Sequence, residues 1–409
     1  MKNRIITGID VGTTKIATIV ADVSDAGPMR VVGVGIVPST GLHKGMVVNI
    51  NEAKESIRES IKRAEQASNY KIESAYIGIT GRHVTSLNNR GVVAITRNDR
   101  LVRGDDLRRV MSSAQSISVP NDRRVLHVIP RNYAVDGQVG VKNPVGMHGF
   151  RLDVETHVIT AAVTSVQNLV KCVRGVGLDI DELVLEPLAS SEAVLSEDEK
   201  DAGVILADIG GGTTDIAVFK DGSIYHTSVI PVAGYQFTRD IAIGLGLPFD
   251  VAEEMKKRYG SVMPVYESKE QQAQATAISQ DGHGVSYQDL CDIVRARIEE
   301  LLKLILLELP TADYRKTVSA GLVLTGGSSN LPGIDALGRE LLQMPVRVGA
   351  PGNIYGISDI LCDPAYATGV GLVLWGARHQ GARPGQNWES GGFGSAVRHM
   401  MGRFFRLFR

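Results

Sequence analysis

The chain has 409 residues, of which 43% are hydrophobic and 22% are charged. That length predicts two or more domains, and the hydrophobic fraction is large enough to fill their cores. Lys and Arg number 44 against 45 Asp and Glu, so no excess of positive charge favours nucleic acid as a partner. Three cysteines, Cys172, Cys291 and Cys362, are too few for a disulfide framework and too far apart for a metal knuckle.

The N-terminal segment and the distribution of apolar residues predict the compartment. Only Ile5 and Ile6 are apolar between Met1 and the first predicted turn, so we expect no signal peptide. No window approaches the run of about 18 apolar residues that marks a membrane-spanning helix. With so few cysteines, this pattern favours a protein of the reducing cytoplasm.

The first predicted element is a β-hairpin with the turn sequence GIDVGTTK at 8–15, and a near copy, DIGGGTTD, occupies 208–215. Apolar, β-branched runs flank both turns, so each turn is expected to join two buried strands. Glycines let backbone N–H groups approach an anion, and threonine hydroxyls add donors. Asp10 and Asp208 would need a divalent cation between themselves and a phosphate. One such turn is equally typical of an ordinary hairpin, but two facing copies predict a site for one Mg-polyphosphate.

The region between the two hairpins changes character at about residue 82. The preceding segment predicts a strand at 31–37, a helix at 51–68 and a strand at 74–80. Residues 82–163 instead predict a small inserted α+β subdomain. Its expected elements are strands at 91–96, 124–133 and 153–163, a helix that begins at Asp105 and Asp106, and a glycine-rich loop at 137–149.

The second half becomes largely helical over 236–309, with a long helix at 287–309. Glu253 and Lys256 are three residues apart and share one helix face, a spacing that is also typical of a solvated surface pair. A buried strand then leads into a third glycine turn at 326–330. Further helices are expected at 165–176, at 189–195, from near Leu331 to 343, and at 366–377.

The end of the chain predicts a tethered amphipathic helix. Residues 381–392 have the composition of a flexible linker. At about 100° per residue, one arc of the following helix would hold only apolar side chains, and the opposite face only basic ones. The apolar arc contains Phe393, Val397, Met400, Met401, Phe404, Leu407 and Phe408, and the basic face contains Arg398, Arg403, Arg406 and Arg409. This pattern favours an in-plane membrane helix over a terminal helix that packs on the protein's own core.

Five segments resemble, in order, the nucleotide motifs of the actin-like ATPase superfamily. They are GIDVGTTK at 8–15, LEPLASSEA at 185–193, DIGGGTTD at 208–215, VLTGGSSNLPG at 323–333 and ATGVGL at 367–372. Within that superfamily, the chain resembles the FtsA family of bacterial cell-division proteins over essentially its whole length. The resemblance implies an α/β, actin-like duplicated two-domain fold with ribonuclease H-like cores, an inserted small α+β subdomain and a C-terminal amphipathic helix.

The resemblance also implies how the chain is divided, with the nucleotide in the cleft between the two duplicated domains. The expected parts are the core of the first actin-like domain at 1–81 and 164–200, an SHS2-like inserted subdomain at 82–163, the core of the second domain at 201–235 and 310–379, a helical subdomain at 236–309, a linker at 380–392 and a membrane-targeting helix at 393–409.

The expected site residues come from the turns and from the resemblance. Asp10 and Asp208 would hold Mg²⁺, most simply through water, with Asp215 as a further candidate. The expected nucleotide contacts are Asp10, Gly12, Thr13, Thr14, Lys15, Gly210, Gly211, Gly212, Thr213, Thr214, Glu253, Lys256, Gly326, Gly327, Ser328 and Asn330. The resemblance implies that Glu186 orients the attacking water and that Asp208 acts with it, although an acid at a helix N-terminus is equally typical. Arg297 matches a family position that contacts FtsZ.

The function that the resemblance implies is that of an ATP-binding adaptor. It would polymerise on the inner face of the cytoplasmic membrane at the division septum and tether FtsZ there. ATP and Mg²⁺ are the expected cofactors; the FtsZ C-terminal peptide, further copies of this chain, membrane lipids and later divisome proteins are the expected partners, and nucleic acid is not. Whether ATP is hydrolysed slowly or mainly closes the cleft stays open. A pilus-assembly adaptor, an MreB-type filament and a small-molecule kinase of the same fold are alternatives.

Overall fold

The computed structural model describes residues 4–23, 29–263, 286–310, 317–352, 354–357 and 359–379. These residues form two lobes, each built on a mixed β-sheet, and a smaller antiparallel sheet inserted in the first lobe. Each of the three sheets borders its own hydrophobic core. The α/β class is therefore as predicted.

The elements are numbered in chain order. The strands are β1 (Arg4–Val11), β2 (Lys15–Val23), β3 (Arg30–Pro38), β4 (Leu42–His43), β5 (Met46–Val47), β6 (Ser74–Ile79), β7 (Val84–Ala94), β8 (Arg123–Val135), β9 (Gln138–Val141), β10 (Arg151–Ala162), β11 (Asp179–Leu185), β12 (Val204–Ile209), β13 (Thr214–Lys220), β14 (Ser223–Ile230), β15 (Gly321–Thr325), β16 (Val346–Val348) and β17 (Tyr355–Gly356). The helices are α1 (Ile50–Ser68), α2 (Gly104–Gln115), α3 (Val163–Arg174), α4 (Glu186–Val194), α5 (Glu197–Ala202), α6 (Gly234–Leu245), α7 (Phe249–Tyr259), α8 (Tyr287–Leu307), α9 (Ile334–Leu342) and α10 (Ala367–His379).

The first lobe is built on a sheet with the strand order β11-β6-β1-β2-β3-β17. Helix α1 packs on β2 and β3, whereas α10 returns from the second lobe to pack on β1, β2 and α4. Because the sheet is covered on both faces, residues 16–20 of β2 are all buried, which explains why four of these five residues are apolar. Helix α1 begins where the Asn49 side chain accepts hydrogen bonds from the backbone N–H groups of Asn51 and Glu52.

The second lobe repeats the central part of the first. Its sheet has the order β14-β13-β12-β15-β16, in which β12 and β13 are antiparallel and β15 runs parallel to β12, as β6 does to β1. In β1–β2, Asp10 lies opposite Ala17, and in β12–β13, Asp208 lies opposite Asp215. Each aspartate therefore faces the residue seven positions later. The internal repeat that the sequence predicts is thus a structural repeat with turns of equal length.

The inserted sheet has the order β7-β10-β8-β9, with α2 packed against β7. It also contacts β14 of the second lobe: the Ser86 hydroxyl donates to the Thr227 carbonyl at 2.8 Å, and His157 Nε2 lies 2.9 Å from Thr227 Oγ1. The Arg131 guanidinium stacks 4.3 Å from the centre of the Tyr225 ring. The insertion therefore bridges the two lobes.

Several predicted elements have different bounds in the structure. The loop expected at 137–149 contains strand β9, and the strand expected at 91–96 is the end of the longer β7. Helix α4 begins at Glu186 rather than at 189, since Pro187 suits the first turn of a helix. The helix expected from near Leu331 begins at Ile334, after a 3₁₀ turn at Gly327–Asn330. Strand β14 was not expected.

No helix within the described ranges is both long enough and apolar enough to cross a membrane. The predicted linker and amphipathic helix, 380–409, lie outside the described residues.

Candidate nucleotide site between the two hairpin turns

The two glycine–threonine turns of the repeat lie against each other across the cleft. A Cβ atom on Gly211 would lie 2.3 Å from Thr14 Cγ2, and one on Gly212 would lie 2.7 Å from Thr13 Oγ1. Those distances leave no room for a side chain at either glycine. The two turns therefore face each other, and their close approach to one another depends on the missing Cβ atoms.

The third glycine turn packs on the second. The Ser328 hydroxyl donates to the Gly210 carbonyl at 2.9 Å. Gly326 has a φ of +84°, and a Cβ atom there would lie 2.4 Å from Asp208 Oδ1. The Asn330 amide donates to Asp363 Oδ1 at 2.8 Å, which fixes the end of the turn. Gly210, Gly326 and Ser328, predicted from two separate motifs, are thus parts of one arrangement around Asp208.

Four carboxylates converge beneath these turns, and all are buried: Asp10, Glu186, Asp208 and Asp215. Thr368 Oγ1 donates to Asp208 Oδ2 at 2.9 Å, and Thr213 Oγ1 donates to Asp215 Oδ2 at 3.0 Å. Glu186 Oε1, in contrast, has no hydrogen-bond partner among the described residues.

Burial of these carboxylates raises their pKa values. Burial, with a smaller contribution from the charge of Asp208, raises the pKa of Asp10 to about 6 although Lys15 opposes the change. The pKa of Asp215 rises to about 7, mainly through burial. Burial and the charges of Asp10, Asp215 and Asp208 hold the pKa of Glu186 well above its usual range, and burial also raises the pKa of Asp208. A bound cation would offset this effect and favour the ionised carboxylates.

The arrangement fits a hydrated divalent cation better than a directly ligated one. Within the described ranges, no three His, Cys, Asp or Glu side chains converge closely enough to be direct ligands. Asp10 and Asp208 face each other closely enough to interact electrostatically. Mg²⁺ usually keeps several waters and uses only one or two protein carboxylates. Contacts of Asp10 and Asp208 with Mg²⁺ through water, as predicted, suit this donor set.

Lys15 and the pair of Glu253 and Lys256 flank the turns. Lys15 Nζ donates to the Ala365 carbonyl and lies 4.6 Å from the centre of the Tyr366 ring, just before α10. Lys256 Nζ lies 2.6 Å from Glu253 Oε2 and donates to the Gly234 carbonyl at 3.1 Å. The Lys256 side chain is only 11% exposed, so these two residues are not a solvated surface pair.

Arg297 lies elsewhere, on α8 of the second lobe. Its guanidinium forms ion pairs with Asp240 on α6 and with Glu300, the latter at 2.7 Å. The side chain remains 25% exposed. The positive charge at the predicted FtsZ contact is therefore shared with two intramolecular carboxylates.

Several residues of the site did not emerge from the sequence. Thr80, at the end of β6, donates to Asp215 across the cleft, and Thr13 Oγ1 accepts from the backbone N–H of Gly45 at 3.0 Å. Thr368 lies within the ATGVGL segment, which resembles a nucleotide motif. The motif does not predict that Thr368 forms a hydrogen bond with Asp208. Thr80 and Gly45 belong to no repeated pattern, and only the fold brings them to the cleft.

Comparison with known proteins identifies the family. A profile described as cell division protein FtsA matches residues 205–371, and one described as the SHS2 domain inserted in FtsA matches residues 81–160. Over 378 residues the chain is 44% identical to cell division protein FtsA of Pseudomonas aeruginosa, covering 92% of this chain and 90% of that protein. FtsA of Bacillus subtilis is 38% identical over 378 residues, with 92% of this chain and 84% of that protein covered.

Solved structures bear on the fold. The chain is similar to one in the PilM-PilN type IV pilus biogenesis complex, with a TM-score of 0.65, 18% identity and coverage of 92% of this chain and 99% of that one. It is also similar to ADP-bound MreB5 of Spiroplasma citri, with a TM-score of 0.54, 15% identity and coverage of 91% and 96%. These likenesses confirm the actin-like fold, and the SHS2 match confirms the predicted insertion. The sequence identities over nine-tenths of the chain show that it belongs to the FtsA family of cell division proteins.

Proposed function

We propose that the chain binds Mg-ATP in the cleft between the β1–β2 and β12–β13 turns. The observation that carries this proposal is the contact of Gly211 with Thr14 above four buried carboxylates. MreB5 of Spiroplasma citri, which has a similar fold, has been solved bound to ADP and bound to AMPPNP, and this supports nucleotide binding by a chain of this fold.

Each turn has a role in this proposal. Gly12, Thr13 and Thr14 would offer N–H and hydroxyl donors to the β-phosphate, and residues 210–214 would do so for the γ-phosphate. The third turn, 326–330, would border the adenosine, with Glu253 and Lys256 at the ribose and adenine. Asp10 and Asp208 would hold the water shell of Mg²⁺, which when bound offsets the charge of the phosphates.

Glu186 is the residue that we assign to orient the attacking water. It begins α4 beneath the turns, and its buried Oε1 has no hydrogen-bond partner among the described residues. A carboxyl with a raised pKa accepts a proton from water near neutral pH more readily than an ordinary glutamate. Asp208, fixed by Thr368, would keep its place beside the phosphates. Slow hydrolysis with this geometry would leave cleft closure as the main effect of ATP.

The proposed adaptor role depends on three surfaces of the protein, each with its own partner. Residues 393–409 would bind the inner face of the cytoplasmic membrane through their apolar arc and arginines, and several copies in a filament would strengthen a weak individual hold by avidity. Arg297 on α8 would contact the acidic C-terminal peptide of FtsZ. The insertion would contact further copies of the chain or later divisome proteins. The protein would therefore lie at the septum as a peripheral membrane protein.

Liposome co-sedimentation with FtsZ tests this role directly. The full chain and a chain that stops at Gly392 are compared, each with and without Mg-ATP. We expect FtsZ to sediment with liposomes only with the full chain, and more strongly with ATP. A full chain that binds neither lipid nor FtsZ would contradict the adaptor role and favour a soluble kinase of the same fold.

A further inference from the structure

The short hairpin of β4 and β5 reaches from the first lobe to both glycine–threonine turns. Its turn residue Gly45 donates its backbone N–H to Thr13 Oγ1 at 3.0 Å. A Cβ atom on Gly212 would lie 2.8 Å from the Cα atom of Lys44. The side chain of Lys44 therefore starts where the β1–β2 and β12–β13 turns meet. Lys44 belongs to the first lobe and Gly212 to the second.

An aromatic contact holds the same hairpin to the second lobe. The ring of His43 meets Tyr235 edge-on, with centroids 5.7 Å apart and planes at 89°. The backbone N–H of Tyr235 donates to the Gly211 carbonyl at 2.7 Å, and its ring packs 5.0 Å from that of Phe249. A movement of the hairpin thus changes a contact with the second glycine turn.

The conformation of Lys44 is unusual for its residue type. Its φ is +49°, a left-handed conformation that glycine or asparagine adopts at lower cost than lysine. Among the residues that the structure describes, no carboxylate pairs with its ammonium group. Gly45 also has a positive φ, +71°, and a two-residue hairpin turn requires positive φ at both of its residues, so this conformation belongs to the turn. The turn places beside Gly212 an ammonium group that pairs with no carboxylate among the described residues and is open to a ligand.

The position of Lys44 along the cleft follows from that of Lys15. Lys15 donates to the carbonyl of Ala365, and Ala365 lies against Gly327 of the turn that we assign to adenosine. Lys44 lies at the other end of the turns, beside Gly212. The two lysines therefore approach a bound polyphosphate from opposite ends.

We propose that Lys44 binds the terminal phosphate of a nucleoside triphosphate and that the β4–β5 hairpin closes over that phosphate. This inference rests on the nucleotide site proposed above. A cation at this point gains a partner only when the third phosphate is present, so the hairpin would distinguish triphosphate from diphosphate.

Titration of the full chain with Mg-AMPPNP and Mg-ADP tests the assignment. Lys44→Gln should weaken AMPPNP binding about tenfold, the value of one charge-assisted hydrogen bond, and change ADP binding less than about twofold. Lys44→Arg should retain most of the preference for AMPPNP. Lys62→Gln, an exposed lysine on α1, is the matched control and should change neither affinity.

Lys44→Gly separates the charge from the backbone conformation. Glycine adopts this φ without strain, so the variant should fold as well as the wild type and still lose the preference for AMPPNP. Wild-type discrimination between AMPPNP and ADP in Lys44→Gln or Lys44→Gly would overturn the role of Lys44. A wild-type chain that binds neither nucleotide would instead refute the nucleotide site itself.

The aromatic contact gives an independent test of hairpin closure. Tyr235→Ala removes the edge-on contact with His43 and should speed the release of a fluorescent triphosphate analogue several-fold in stopped-flow measurements. Tyr70→Ala, on the surface after α1, is the control. An unchanged release rate in Tyr235→Ala would show that the hairpin does not close over the nucleotide.

Discussion

The hydroxyl of Thr80 donates a hydrogen bond to the carboxylate of Asp215, and this bond joins the two lobes directly beneath the glycine turns. Thr80 directly follows β6 of the first lobe, whereas Asp215 is in β13 of the second. Asp215 is 2% exposed, so the bond is made away from bulk water. The lobes are therefore connected through a titratable group.

The titration of Asp215 predicts a pH dependence of stability in the nucleotide-free protein. Its pKa is raised from 3.8 to about 7, so the folded state binds a proton that the unfolded state has released between these values. Its contribution to stability is present below about pH 4 and is lost as the pH rises through 7. The difference in melting temperature between wild type and Asp215→Asn should therefore change across this range. A difference that is constant from pH 4 to pH 8 would contradict the raised pKa.

Nucleotide binding should depend on Asp208 and on the space beside Gly211. Asp208→Ala should weaken Mg-ATP binding severely, because one of two facing carboxylates no longer holds the hydrated cation. Gly211→Val should do the same, since its side chain would overlap Thr14, whose Cγ2 already lies 2.3 Å from the position of a Cβ. Calorimetric titration measures both. Unchanged affinity in both variants, with unchanged melting temperatures, would remove the site assignment.

The sequence allows prediction of the parts of the site that local patterns carry. The aspartates and glycines of the two turns recur between the same kind of apolar strands, so the sequence alone indicates that the two turns are equivalent. Thr80 and Asp215, in contrast, are 135 positions apart and meet only because both lobes fold. The sequence does not predict strand β14, because the insertion covers part of this strand and its buried positions therefore do not alternate strictly.

Membrane binding should depend on the apolar arc of 393–409, which lies outside the described residues. Phe404→Glu places a charge at the centre of that arc and should abolish liposome binding while leaving ATP binding intact. Lys62→Gln serves as a surface control. Sedimentation with vesicles that contain anionic lipid measures the loss. An unfolded Phe404→Glu protein would indicate that the segment is a core helix instead.

Binding of the FtsZ C-terminal peptide should depend on Arg297. Arg297→Glu would remove the cation and should abolish peptide binding, but it also places a third carboxylate beside Asp240 and Glu300. Arg297→Gln is therefore the cleaner variant, and it should weaken binding about tenfold. Asp240→Asn should strengthen binding, because the guanidinium loses a competing partner. Wild-type affinity in Arg297→Gln, measured by fluorescence anisotropy, would place the docking site elsewhere.

Self-association should depend on the free edge of the inserted sheet. Strand β9 is the outer strand of that sheet, and its Val139 is 80% exposed. An exposed strand edge is a natural pairing surface for another copy, and a head-to-tail contact need not close into a ring. Residues 82–163 contain twelve Lys and Arg against seven Asp and Glu, a net charge of +5 in a chain of −1, so the remainder carries −6. Opposite charges on the insertion and on the rest of a neighbouring copy would favour that contact at low salt.

Val139→Lys should therefore shorten or abolish polymers on lipid monolayers, because a lysine on an edge strand opposes pairing. Replacement of residues 82–163 by a short Gly-Ser bridge should have the same effect, but it also exposes β14, where Ser86 and His157 now contact Thr227. The point variant is thus the sharper test, with Tyr70→Lys as an exposed control and ATP binding as the measure of folding. Electron microscopy at low and high salt gives the readout. Filaments of normal length from both the Val139→Lys and the deleted chains would show that the insertion serves instead as a docking site for a later division protein.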